Sequence, residues 1–154
     1  MSSDSQPVVQ SRSSHDSRRK VRILVVAVLL LLTAQGWTGD FVNLFAAVPT
    51  IHIVSIYSFF QALLDSGVLT LYHALEGLAI LVLSVYILVY SFLKPNSKNL
   101  RICALLATAS VISATVGGVL FVLSSFQNNA NSAQMGGSFI GAYAFYFLVL
   151  YFTK

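Results

Sequence analysis

The run LTLYHALEGLAILVLSVYILVYSFL, residues 69–93, decides the class of this protein, because it holds one carboxylate, one histidine and otherwise apolar or weakly polar side chains. A helix crossing a hydrocarbon core about 30 Å thick needs about 20 apolar residues at about 1.5 Å each, and this run is long enough. Three more runs qualify. The first spans Val21 to about Trp37–Gly39, and helical continuation to Val48 also fits; the others cover Leu100 to Phe126 and Ala133 to Thr153. The reading is an all-α integral membrane protein, an antiparallel bundle of four transmembrane helices within residues 21–154.

Composition agrees. Only 9% of the 154 residues are charged, against the quarter or so that clothes a soluble domain, so a soluble enzyme is excluded. A net charge of +4 could suggest nucleic acid, but the placement of the cations argues against it. Five lie between Arg12 and Arg22, three are Lys94, Lys98 and Arg101, and the last is Lys154. They sit only where apolar runs begin or end, which is the positive-inside pattern. It predicts a multi-pass cell-membrane protein with both termini and the 94–101 loop in the cytoplasm. Asp40 and Asp65 then fall on the outer side, with no basic residue beside them.

Residues 1–20 are Ser-rich and lack apolar periodicity, so a disordered cytoplasmic tail is expected. Its Arg18-Arg19-Lys20 and Arg22 cluster reads as a topology signal, with attraction to anionic lipid as the functional alternative. The basic stretch, the apolar core from Ile23 to Ala34 and the small residues of Ala34-Gln35-Gly36 also fit a cleaved signal peptide.

Residues 49–68 are too apolar for an exposed loop. Ile53, Ile56, Tyr57, Phe60, Leu63 and Leu64 follow helical spacing, which predicts a short amphipathic helix lying on the outer face between the first two spans. Within the spans, Ser110, Ala114 and Gly118 recur every four residues, as do Gly137 and Gly141. Small residues at that spacing let helix backbones approach closely.

Chemistry must come from polar groups inside the membrane. His73 and Glu76 stand three residues apart on one helix face, which turns inward because an ionisable group facing lipid is costly. No Lys or Arg lies near enough in sequence to pair Glu76, so a buried polar cluster with Asp40 and Asn43 is expected, with Gln35 and His73 as further partners. His73, His52 and Met135 could supply axial ligands to one haem b near the outer face. A metal held by His52, His73 and Glu76, or ion passage along Asp40, Asn43, Glu76 and Gln35, are weaker options. Cys103 is the sole cysteine and reads as packing. No nucleotide-binding, hydrolase or zinc motif is present.

Two functions follow. The first is a non-enzymatic accessory or assembly subunit, whose partners are the lipid bilayer and other membrane subunits or further copies of itself, with no role for nucleic acid. The alternative is a single-haem, cytochrome b-like electron carrier with His73 as axial ligand.

Overall fold

The computed structural model describes residues 6–45, 53–94 and 96–154, with side chains described from residue 16 onward. It is all-helical in those residues: α1 (Gln6–Phe45), α2 (Ile56–Asp65), α3 (Val68–Leu93), α4 (Lys98–Leu123) and α5 (Asn129–Phe152). Four of these helices, all but α2, are long and apolar enough to cross a membrane. The 26 residues of α3 and of α4 reach about 39 Å, more than the hydrocarbon thickness.

Local chemistry sets most of the boundaries. Ser55 and Ser58 form a reciprocal capping box that starts α2, each satisfying a backbone N–H the other leaves exposed. Gly67 turns the chain into α3 at φ +102°, a conformation that suits glycine. Ser97 caps α4 through the Leu100 N–H, and Asn128 caps α5 through the Ala130 N–H. The expected third span ran to Phe126, but α4 stops at Leu123 because Ser125 and Phe126 are left-handed, at φ 54° and 62°. Non-glycine residues at such angles cost about 1 kcal/mol each. Here two backbone bonds offset that cost, from Ser125 N–H to Val122 O at 2.9 Å and from Phe126 N–H to Phe121 O at 3.0 Å.

At its other end the molecule departs from expectation. α1 begins at Gln6, where a tail without regular structure was expected up to residue 20. After Pro7, which a first helical turn tolerates, nothing before Gly36 breaks a helix, and propagation from a formed apolar segment costs far less than nucleation. Between α1 and α2, residues 46–52 lie outside the described residues, and with them the 49–52 part of the expected interfacial segment.

Each long helix buries one stripe. Val21, Val25, Val28 and Leu32 on α1 meet Ile80 and Ile87 on α3, Ala104, Ala107 and Val111 on α4, and Ala142, Tyr146 and Val149 on α5. The outward faces are equally apolar: Leu30, Leu78, Val82 and Ile140 are each more than half exposed. A soluble monomer rarely shows so much contiguous apolar surface. α1 packs on α3 and α5, and α4 on α3 and α5, so the four helices close a ring; α2 rests on α3 and α4. Ser58, Ala62 and Leu63 of α2 are buried against them, while Ile56, Tyr57, Phe60 and Leu64 are exposed.

Candidate functional site

The polar groups of α1 and α3 meet near the end of the bundle opposite the basic residues. Gln35 and Thr38 are three residues apart on α1, as His73 and Glu76 are on α3, so each pair shares a helix face. The two faces interlock. Thr38 Oγ1 donates to Glu76 Oε2 at 2.9 Å and also lies 2.9 Å from His73 Nδ1. Gln35 Nε2 lies 3.1 Å from His73 Nε2 and donates to the His73 carbonyl oxygen at 3.2 Å.

Two glycines make room for this cluster. A Cβ on Gly39 would stand 3.1 Å from His73 Cε1, and one on Gly77 would stand 3.2 Å from Gln35 Nε2. Each glycine lies across the seam from a polar side chain of the other helix, so the missing Cβ atoms admit hydrogen-bonding groups between the two backbones.

The bonds specify a proton order. The His73 carbonyl accepts only, so it fixes the Gln35 amide with its NH2 inward. That NH2 is also what faces His73 Nε2, so Nε2 must accept and Nδ1 must carry the proton. Nδ1–H then donates to Thr38 Oγ1, which leaves the single hydroxyl proton of Thr38 for the Glu76 carboxylate. A secondary approach of Thr38 Oγ1 to the Gln35 carbonyl, at 3.2 Å, is longer. Among the described residues, the buried Gln35 Oε1 accepts no hydrogen bond.

Glu76 is 7% exposed, and no Lys or Arg occurs from Ile23 to Leu93. A buried carboxylate without a cation depends on such hydrogen bonds. Asp40 and Asn43 were expected to join Glu76. Both are exposed, and among the described residues neither hydrogen-bonds to it. Thr38, which sequence reasoning did not single out, takes that place. The available signal was its spacing of three residues from Gln35 on a face that also carries Gly39 beside it.

Of the three residues considered as haem ligands, two fall within the described residues, and each packs in a different seam. His52 lies outside the described residues. Met135 packs between α4 and α5, its Cγ 3.1 Å from where a Cβ of Gly117 would be and its Sδ 3.2 Å from that of Gly118. His73 has both ring nitrogens in protein hydrogen bonds, so an iron could take Nε2 only by displacing Gln35. Among the described residues, no three His, Cys, Asp or Glu side chains form a metal-binding group.

Comparison with protein-family models, with curated proteins and with solved structures finds no match to the chain.

The expected packing residues divide. A Cβ on Gly141 would lie 3.1 Å from Ser110 Oγ, so these two do face one another across α4 and α5, and Gly118 faces Met135. Ala114 is partly buried on the same helix. Gly137 is exposed, with nothing within 4 Å of a Cβ there, and Gly136 is equally open. The tight contact is instead at Gly117, which is buried and whose Cβ would lie 3.2 Å from the Asn131 backbone oxygen. Beside this contact, Ser138 Oγ donates to Ser113 Oγ at 2.8 Å. Deeper in the bundle the buried Tyr146 hydroxyl sits beside Ser84 and Thr108 but makes no well-formed hydrogen bond among the described residues, while Thr108 Oγ1 donates to the Ser84 carbonyl at 3.2 Å.

Proposed function

We propose that this chain is a non-enzymatic accessory or assembly subunit of a cell-membrane complex, inserted as an antiparallel bundle of four spans, with the Gln35–Thr38–His73–Glu76 cluster as an internal clamp. The observation that carries this reading is the use of the cluster's polar groups. Both imidazole nitrogens and one carboxylate oxygen are engaged within the protein, which suits a group that fixes helix register better than one that receives a ligand. The antiparallel arrangement is supported by contacts that run in opposite senses along paired helices: Gln35 and Gly39 face Gly77 and His73, and Ser110 and Gly117 face Gly141 and Met135.

The orientation rests on the cations. Placing Arg18 to Arg22, the α3–α4 turn and Lys154 on the cytoplasmic side leaves the polar clamp near the outer face, and α2 lies there with Ile56, Tyr57, Phe60 and Leu64 toward the interface. Other membrane subunits, or further copies of the chain, would meet the outward apolar faces, where Gly136 and Gly137 offer a close approach that no described helix uses.

Extraction from membranes in a mild detergent, followed by native electrophoresis and absorption spectroscopy, tests the reading. A colourless species migrating above the mass of one chain with its detergent is expected. A monomer showing a Soret band that is lost in His73→Ala would establish the cytochrome alternative instead. For orientation, in a Cys103→Ala background, Gln127→Cys should react with an impermeant maleimide on intact cells and Ser97→Cys should not.

A further inference from the structure

Eight cations gather at one end of the bundle from three separate parts of the chain. Arg18, Arg19, Lys20 and Arg22 occupy little more than one turn of α1. Ser17 and Val21 on that turn are buried against the bundle, so the four cations fan outward and are exposed. Lys94 and Lys98 flank the α3–α4 turn and are also exposed. The seam between α1 and α3 pairs Gly39 with His73 and Gly77 with Gln35. Carried along both helices at equal rise, that register sets Arg18 level with Lys94.

The remaining two cations are held at the level of the nearby aromatic rings. The Arg101 guanidinium lies 5.8 Å from the Phe92 ring centre, and Lys154 Nζ lies 5.3 Å from that of Tyr151. Arg101 is also tied to the turn, donating from Nε to the Ser91 carbonyl at 3.2 Å and from Nη2 to the Lys94 carbonyl at 3.3 Å. Immediately beyond the cations the outward surface turns apolar: Ile23 follows Arg22, Leu93 precedes Lys94 and Ile102 follows Arg101, and all three are exposed. Ser17 Oγ, on the buried face at the same level, has no hydrogen-bond partner among the described residues.

We propose that this end of the bundle is a docking surface for acidic phospholipid headgroups, formed jointly by the α1 turn Arg18–Arg22 and the α3–α4 turn. The proposal rests on the membrane reading above. The occupant follows from charge and level together. Long basic side chains with their stems on apolar surface place their charges where lipid phosphates lie. A soluble polyanion would gain nothing from the adjoining apolar belt, whereas an acyl chain continues along it.

The test uses the full chain in a mild neutral detergent, with melting temperature as the readout. Dihexanoyl phosphatidylglycerol should raise the melting temperature at low salt, and the gain should shrink as salt is added. Dihexanoyl phosphatidylcholine should raise it much less, and glycerol phosphate, which carries the same anion without acyl chains, should leave it unchanged. R18Q/R19Q/K20Q/R22Q should weaken the apparent affinity for phosphatidylglycerol by at least about tenfold. K94Q/K98Q should weaken it less and serves if the first variant does not fold. Equal gains from the two lipids, indifference to salt, or unchanged affinity in the folded variants would overturn the proposal. So would an equal gain from glycerol phosphate, which would make the ligand soluble. Failure of the membrane reading is separately visible, as a protein monodisperse in detergent-free buffer that does not float with phosphatidylcholine vesicles.

Discussion

The seam between α1 and α3 and the seam between α4 and α5 both use glycines, but for opposite purposes. Gly39 and Gly77 open space for His73 and Gln35, so α1 and α3 are joined through hydrogen-bonded side chains. Gly117, Gly118 and Gly141 open space for Met135 and Ser110, and Gly117 also brings α4 close to the backbone of α5. In lipid no hydrophobic force favours one helix contact over another, so association must come from close packing or from polar bonds. Here the α1–α3 seam relies chiefly on polar bonds and the α4–α5 seam chiefly on close packing, with the Ser138–Ser113 hydrogen bond beside its glycines. The packed seam should therefore suffer most from added volume, and the bonded seam from lost hydroxyl and imidazole groups.

The largest effect is expected at Gly117. Gly117→Leu would drive a side chain into Met135 and the Asn131 carbonyl, and a loss of about 3 kcal/mol, read from reversible unfolding in detergent, is expected. Gly141→Leu should cost less, because its neighbour Ser110 can rotate its hydroxyl away. On the bonded seam, Thr38→Val keeps the volume but removes the group that donates to Glu76 and accepts from His73. It should cost about 2 kcal/mol, since a buried carboxylate is left without its donor. Glu76→Gln should cost under about 1 kcal/mol, because an amide oxygen can still accept from Thr38. The smallest effect belongs to Gly137→Leu, whose side chain would enter open space: the unfolding free energy should not change. A Gly137→Leu loss as large as that of Gly117→Leu would mean that a second chain covers Gly137 in the purified protein.

Much of the architecture was legible because the signals were long. A run such as 69–93 leaves few readings, and α3 begins within one residue of the expected start. The end of α4 was not legible. Ser124-Ser125-Phe126 looks as apolar as a helix end, and only the left-handed turn stops it. The start of α1 at Gln6 was not legible for the converse reason, since a polar helix leaves no apolar period to detect. In the clamp, His73 and Glu76 stood out as ionisable groups within an apolar run, and Gln35 was named as a partner. Thr38 did not stand out, because a threonine in a membrane helix commonly bonds its own backbone, as Thr33 does to the Leu29 carbonyl at 2.8 Å. Asp40 and Asn43 drew notice by charge and polarity alone, yet they face outward. Small-residue spacing marked α5 as a close-packing helix, but it could not tell the occupied Gly141 from the open Gly137.

The claim that the polar cluster clamps α1 to α3 is tested most directly by a double-mutant cycle between the two helices. Thr38→Val, Glu76→Leu and the pair together are compared by reversible unfolding in one detergent. A bond between the two side chains predicts non-additivity, with the double variant losing about 1 kcal/mol less than the sum of the single losses. Losses that add within about 0.3 kcal/mol would mean that Thr38 and Glu76 do not interact in the folded protein, and the clamp would then have to be abandoned.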